Sequence, residues 1–287
     1  MRLHNWTARE IAKANPKWDD EQVFQTARNT TMVILLQVVV SDYIRQISPL
    51  DLPLGIYPGM GKGQDWYRPN RIHFEFNLLY RWHGLVPDIF PFLPDADEPA
   101  VNFNRFRHNN RWLLDQGIAS AVDQMSKVPA GRMKMGNTPR QMRMVKRDTL
   151  RLMREGNLAS YNAYRKQFNL EPMTTFEELT GETELARKLR DLYGHIDKLE
   201  WYIGMLSEKH AHNMIMGDML YFMVAHDAFT HAITNPLLAE DVFNEATFSP
   251  TGWQILQETK TLSDIMEKVA PPRAGQRVDF GFPGAVF

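Results

Sequence analysis

The chain has 287 residues, 44% hydrophobic and 23% charged, with 33 basic against 34 acidic residues. That is the make-up of an ordinary soluble globular protein, and a net charge of -1 provides no field for holding nucleic acid by its phosphates. The lack of cysteine excludes disulfides, thiolate nucleophiles, thiolate-bound zinc and iron–sulfur clusters.

No apolar stretch follows Arg2, so no secretory signal is expected. Asp19 or Asp20 can cap a helix running through Glu21, Val23, Phe24 and Ala27 into the apolar run 32–40. The β-branched residues of that run would also suit a buried strand. The cap, and the continuation into Asp42-Tyr43-Ile44-Arg45 without a turn signal, favour helix. The run is much shorter than the roughly 20 residues of a membrane span, so no transmembrane segment is predicted. Residues 48–70 read as a loop rich in Pro and Gly. Gly59, Gly61, Lys62 and Gly63 look like a phosphate loop, but the required glycine spacing and the Ser or Thr after Lys62 are missing.

A helix is predicted over 71–83, with Gly84 as its C-cap. Pro87, Pro91, Pro94 and Pro99 mark a second irregular stretch. Helical patterns resume at 103–126, 140–155, 158–168, 183–193, 197–207, 214–233 and 258–268, and Thr175 to Glu178 reads as a capping box. There is no repeat, no βαβ rhythm and no hairpin series. The expected fold is mainly α with long loops, with one catalytic domain over 1–270 and a flexible tail over 271–287.

Nine histidines are candidates for chemistry: 4, 73, 83, 108, 195, 210, 212, 226 and 231. His210 and His212 do not share a helix face and read as surface imidazoles. Tyr80 and His83 stand three apart on the predicted helix, on an apolar face with Phe76 and Leu79. An imidazole there could ligate haem iron, with a tyrosine one turn away to be oxidised. By composition and spacing alone, Tyr80, Trp82 and His83 read first as plain packing residues, since aromatic stripes at helical spacing are usually core. A Ser-His-Asp hydrolase is not indicated, because no Gly-x-Ser-x-Gly elbow occurs.

The segment Glu75-Phe76-Asn77-Leu78-Leu79-Tyr80-Arg81-Trp82-His83 resembles the signature of the animal-type haem peroxidase superfamily, in its cyclooxygenase-like fatty-acid dioxygenase branch. Further landmarks are similar: Asn15-Pro16-Lys17-Trp18-Asp19-Asp20-Glu21, Asp42-Tyr43, Ser160 to Arg165, and Thr175 to Gly181. The resemblance covers residues 1 to about 268. It implies a haem peroxidase-like helical fold. It implies haem b as cofactor, His83 as proximal iron ligand and Tyr80 as the radical residue. Tyr43 would hold the phenol of Tyr80, while Phe76, Leu79, Trp82 and Thr230 would support the site or line the substrate channel.

The implied activity is a fatty-acid oxygenase or peroxidase that forms hydroperoxides from an unsaturated fatty acid, molecular oxygen and an activating hydroperoxide. Fungal-type diol synthases and plant-type alpha-dioxygenases carry a similar Tyr-x-x-His. The chain also departs from the pattern. The family's distal histidine and glutamine are expected upstream of Met1. Leu50 falls where cyclooxygenases carry the tyrosine partner of their carboxylate clamp, and about Val224 where they carry an acidic residue near it. These changes favour a simple mid-chain hydroperoxide as product. About Thr149 stands where peroxidases place an asparagine against the proximal histidine, which favours the oxygenase branch. The alternative expectation is a truncated, catalytically impaired haem-binding fragment. A cytoplasmic or loosely membrane-peripheral location is expected.

Overall fold

The computed structural model describes residues 1–47, 55–65, 67, 72–87, 90, 110–211 and 214–281. The described residues form helices, with one isolated antiparallel bridge between Ser160 and Glu200 and no strand. The mainly helical expectation therefore holds.

In chain order the α-helices are α1 (Arg2–Ala14), α2 (Asp20–Val38), α3 (Ile44–Ile47), α4 (Phe74–Leu79), α5 (Arg111–Gln116), α6 (Ile118–Met125) and α7 (Arg143–Glu155). They continue with α8 (Tyr161–Gln167), α9 (Phe176–Thr180), α10 (Thr183–Tyr193), α11 (Trp201–Ser207), α12 (Asp218–Ile233), α13 (Glu245–Glu258) and α14 (Leu262–Val269). The chain divides into two compact units. One holds residues 1–71, 110–128 and 229–285, and the other holds 72–109, 129–228 and 286–287.

In the first unit α1 and α13 pack on α2. Leu3, Thr7 and Ile11 recur every four residues and are the buried face of α1. Asp19 caps α2 by accepting from Gln22 N at 2.8 Å. After Val38 the helix widens into a π-turn over Val39–Tyr43 and resumes as α3. The helical reading of the apolar run is thus correct. The whole stretch Asp20–Ile47 is long and apolar enough to cross a membrane by length and composition, which the apolar run alone had not indicated. Its face buries Ala27, Val33, Ile34 and Val38 in the unit's own core. α13 bends where Ser249 (φ 62°) precedes Pro250: the Ser249 hydroxyl accepts from Gly252 N at 3.2 Å, restarting the helix with Pro at its first position. A Cβ on Gly252 would meet Thr30 Oγ1 at 2.9 Å, so this residue sets how closely α13 and α2 approach. Of residues 271–287 the structure describes those to Gly281. There Arg277 N donates to Asp123 Oδ1 at 2.7 Å and the Gln276 amide donates to Ser120 Oγ at 3.2 Å, both on α6.

The second unit buries Leu78, Leu79, Tyr161, Leu179, Leu199, Trp201, Tyr202 and Met205 in one cluster. A Cβ on Gly204 would run into the Tyr161 ring, so only glycine lets α11 and α8 meet this closely. Ser160 caps α8, and Thr175 caps α9 by accepting from Glu178 N at 3.0 Å. The Glu178 carboxylate reaches back to accept from the Thr174 N–H and hydroxyl, both at 2.7 Å, with a weaker pull from the Thr175 backbone. The predicted helix over 103–126 is corrected: Gly117 (φ 77°) divides its described part into α5 and α6.

Candidate functional site

The predicted helix over 71–83 is also corrected. α4 spans only Phe74–Leu79; Tyr80 is its C-cap, and His83 opens a separate 3-10 turn over His83–Leu85. Tyr80 and His83 therefore do not share a helix face, and Gly84 lies inside the 3-10 turn rather than capping α4.

The break follows from where the last carbonyls of α4 find donors. The Trp82 indole N–H donates to Leu79 O at 2.9 Å, and Arg81 Nε donates to Asn77 O at 3.2 Å. The Arg81 carbonyl accepts from the Tyr202 hydroxyl at 3.1 Å and from Lys146 Nζ at 3.4 Å. Arg81 is braced further by Asn77 Oδ1 at 2.8 Å and by Thr149 Oγ1 at 3.1 Å. At the start of α4, Glu75 accepts from the Tyr164 hydroxyl at 2.8 Å.

The turn after His83 is pinned backbone against backbone. Gly131 N donates to Leu85 O at 2.9 Å, and the Asn137 amide bridges Gly84 O (3.1 Å) and Arg132 O (2.8 Å). A Cβ on Gly84 would meet Arg132 O at 2.9 Å, and one on Gly131 would run into Gly84 O. Gly84→Ala is expected to destabilise the chain by roughly 1–3 kcal/mol. Urea denaturation measures it, and an unchanged midpoint would refute the close crossing.

His83 is half-buried, and its Nδ1 is buried without a hydrogen-bond partner. Burial first, then the charges of Lys146 and Arg81, push its pKa down to about 4. The imidazole is therefore neutral at physiological pH and keeps a lone pair for a metal. An unpaired buried ring nitrogen is costly unless something outside the polypeptide pairs with it, such as iron or a bridging water. The donor chemistry thus fits an axial haem ligand. No group of three or more metal-ligating side chains occurs among the described residues, but haem needs only one from the protein. Thr149 is fully buried, and its hydroxyl donates to Val145 O at 2.9 Å while accepting from Arg81, so it is engaged away from His83.

Tyr80 is exposed (38%) and stacks on Trp82, with ring centroids 4.4 Å apart and planes 22° apart; Phe76 lies at 5.3 Å on a tilted ring. Leu79 is buried beneath them. These five predicted residues belong to the second unit. Tyr43 and Thr230 belong to the first. Tyr43 ends the π-turn and meets Phe280 edge-on at 5.9 Å, and Thr230 is buried on α12. An apolar cavity of about 120 Å³ in the first unit is lined by Val40, Ile56, Tyr57, Met60, Phe229 and Leu238. His73 and His226 approach the buried Asp227 Oδ1 at 3.3 and 3.5 Å. Leu50, His108 and His212 lie outside the described residues. Lys146 and Tyr202 also bear on the segment before His83, and they have no spacing relation to it that a sequence could reveal.

A family model of the animal haem peroxidases matches residues 1–278. The chain belongs to the animal haem peroxidase family. Among its relatives, prostaglandin G/H synthase 2 of Equus caballus is 34% identical over 271 residues, covering 94% of this chain and 44% of that protein. Prostaglandin G/H synthase 1 of Oryctolagus cuniculus is 35% identical over 267 residues, covering 93% and 43%. The chain thus spans less than half the length of these curated relatives. Its fold is similar to the fatty acid alpha-dioxygenase of Arabidopsis thaliana, with TM-score 0.77 at 18% identity, covering 93% of this chain and 50% of that one. It is also similar to peroxidase A of Dictyostelium discoideum, with TM-score 0.69 at 17% identity, covering 97% and 55%. The family's members are haem proteins, and peroxidases and oxygenases are among the proteins this chain is similar to.

Proposed function

We propose that this chain serves a haem-dependent fatty-acid oxygenase or peroxidase, with His83 holding the iron of haem b and Tyr80 exchanging a hydrogen atom with the substrate. The observation that carries the proposal is His83 itself: a neutral imidazole with a buried, unpartnered ring nitrogen, three residues from an exposed tyrosine, in the family's signature segment. Haem, when bound, supplies one-electron oxidising power drawn from a hydroperoxide. Tyr80 would give up its phenolic hydrogen, the electron to the oxidised cofactor and the proton to the solvent that reaches its exposed ring. The resulting radical takes a hydrogen atom from an unsaturated fatty acid. Oxygen adds to the carbon radical, and the peroxyl radical recovers a hydrogen atom from Tyr80, so the tyrosyl radical is regenerated and a hydroperoxide leaves. Trp82 and Phe76 keep the phenol ring in place by stacking.

A fatty acid as substrate is supported by the relatives' names. A second reading is haem binding without oxygenation. Oxygen uptake by the haem-loaded chain with linoleate separates the two.

Haem titration followed by the Soret band tests the shared premise. The wild-type chain is expected to take up haem, and His83→Ala to lose more than about a hundredfold in affinity. Equal uptake by the two would remove His83 from the site. Uptake by the wild type should stay level from pH 7 to pH 5. A histidine of ordinary pKa would be protonated across that range, whereas His83 keeps its lone pair until the pH falls towards about 4.

A further inference from the structure

α7 sets Lys146 and Thr149, one turn apart, against the segment that leads into His83. Thr149 holds the Arg81 guanidinium and Lys146 reaches the Arg81 carbonyl. The Lys146 ammonium also donates to the Tyr202 hydroxyl at 2.5 Å, and Tyr202 donates onward to the same carbonyl. No carboxylate pairs with Lys146 among the described residues. Its bonds are to a phenol and a carbonyl, and the charged group nearest in effect is the like-charged Arg81. A half-buried ammonium with no counter-ion is an expensive arrangement to keep.

We infer that Lys146 is a positioning residue for haem, holding a positive charge at the Arg81 carbonyl, two residues before the His83 ligand, and thereby raising the reduction potential of the iron. A carboxylate behind a ligating histidine makes the imidazole a stronger electron donor and favours the oxidised metal; a cation there does the opposite. The charge has a defined location because Tyr202 and the Arg81 carbonyl hold it, with Tyr202 buried in the core of the unit. Burial, helped by Arg81, lowers the Lys146 pKa to about 8, which leaves the ammonium mostly protonated at neutral pH.

The inference rests on His83 as the haem ligand, and the test separates the two. Haem-loaded wild-type, Lys146→Met and Lys146→Arg chains are titrated potentiometrically at pH 6.5. Lys146→Met keeps the bulk of the side chain and removes the charge, and its midpoint potential is expected to fall. Lys146→Arg keeps the charge, and its midpoint should return towards that of the wild type. An unchanged Lys146→Met midpoint, or an equal fall in both variants, overturns the inference, because packing rather than charge would then be what Lys146 provides. A wild-type chain that binds no haem, or binds it equally well as His83→Ala, overturns the ligand assignment and this inference with it.

Discussion

Tyr80→Phe is expected to abolish fatty-acid oxygenation, lowering oxygen uptake with linoleate by more than about a thousandfold, while haem uptake stays at the wild-type level. The substitution removes only the phenolic O–H. The ring that stacks on Trp82 at 4.4 Å and leans on Phe76 at 5.3 Å remains, so the C-cap of α4 and the turn into His83 keep their packing. A phenylalanine has no hydrogen atom that can be removed and returned at a comparable potential. Because His83 and Tyr80 stand on different local elements, the two readouts can separate. Undiminished oxygen uptake in the variant would eliminate Tyr80 as the hydrogen-atom carrier. Loss of haem together with activity would make it a structural residue.

Glu208→Ala is expected to cost roughly 3–5 kcal/mol in urea denaturation. Arg165 Nη1 donates to Glu208 Oε1 at 2.8 Å with both side chains almost wholly buried. Glu208 Oε2 also accepts from Met219 N at 3.0 Å, and the Arg165 fork reaches Tyr161 Oη at 3.2 Å and Glu171 O at 2.6 Å. Burial pushes the Glu208 carboxyl up against the pull of Met219 and Arg165, so the pair persists only as a fully bonded set. Removing the carboxylate leaves a guanidinium in the core and frees the N–H that opens α12. The exposed pair of Arg154 with Glu200 is a control: despite good geometry, Arg154→Ala should cost only about 0.2–1 kcal/mol. If the two losses are equal, burial is not what gives the Arg165–Glu208 pair its weight.

Local signals were legible where the deciding atoms lie within a few residues. Asp19 caps α2 through a bond three positions away, and the pattern over 183–193 matches α10 in both bounds. α13 went unread because Pro250 and Gly252 look like breakers, whereas Ser249 and Pro250 together restart the helix. α1 also went unread, although Leu3, Thr7 and Ile11 have the period of a buried helix face.

The family was legible in the sequence: the segment Glu75 to His83 resembles the haem peroxidase signature, and the family model matches residues 1–278. The sequence also determined a helical fold, through caps and periodic faces. Only the tertiary structure decided that α4 ends at Leu79 and that His83 leaves it for a separate turn. Part of the cause lies far along the chain, since Lys146 and Tyr202 satisfy the Arg81 carbonyl and Gly131 and Asn137 grip the turn. Helix propensity is a sum over neighbours; the last carbonyls of α4 find local donors in Arg81 and Trp82, but the segment beyond them is held by donors 53 to 121 residues away.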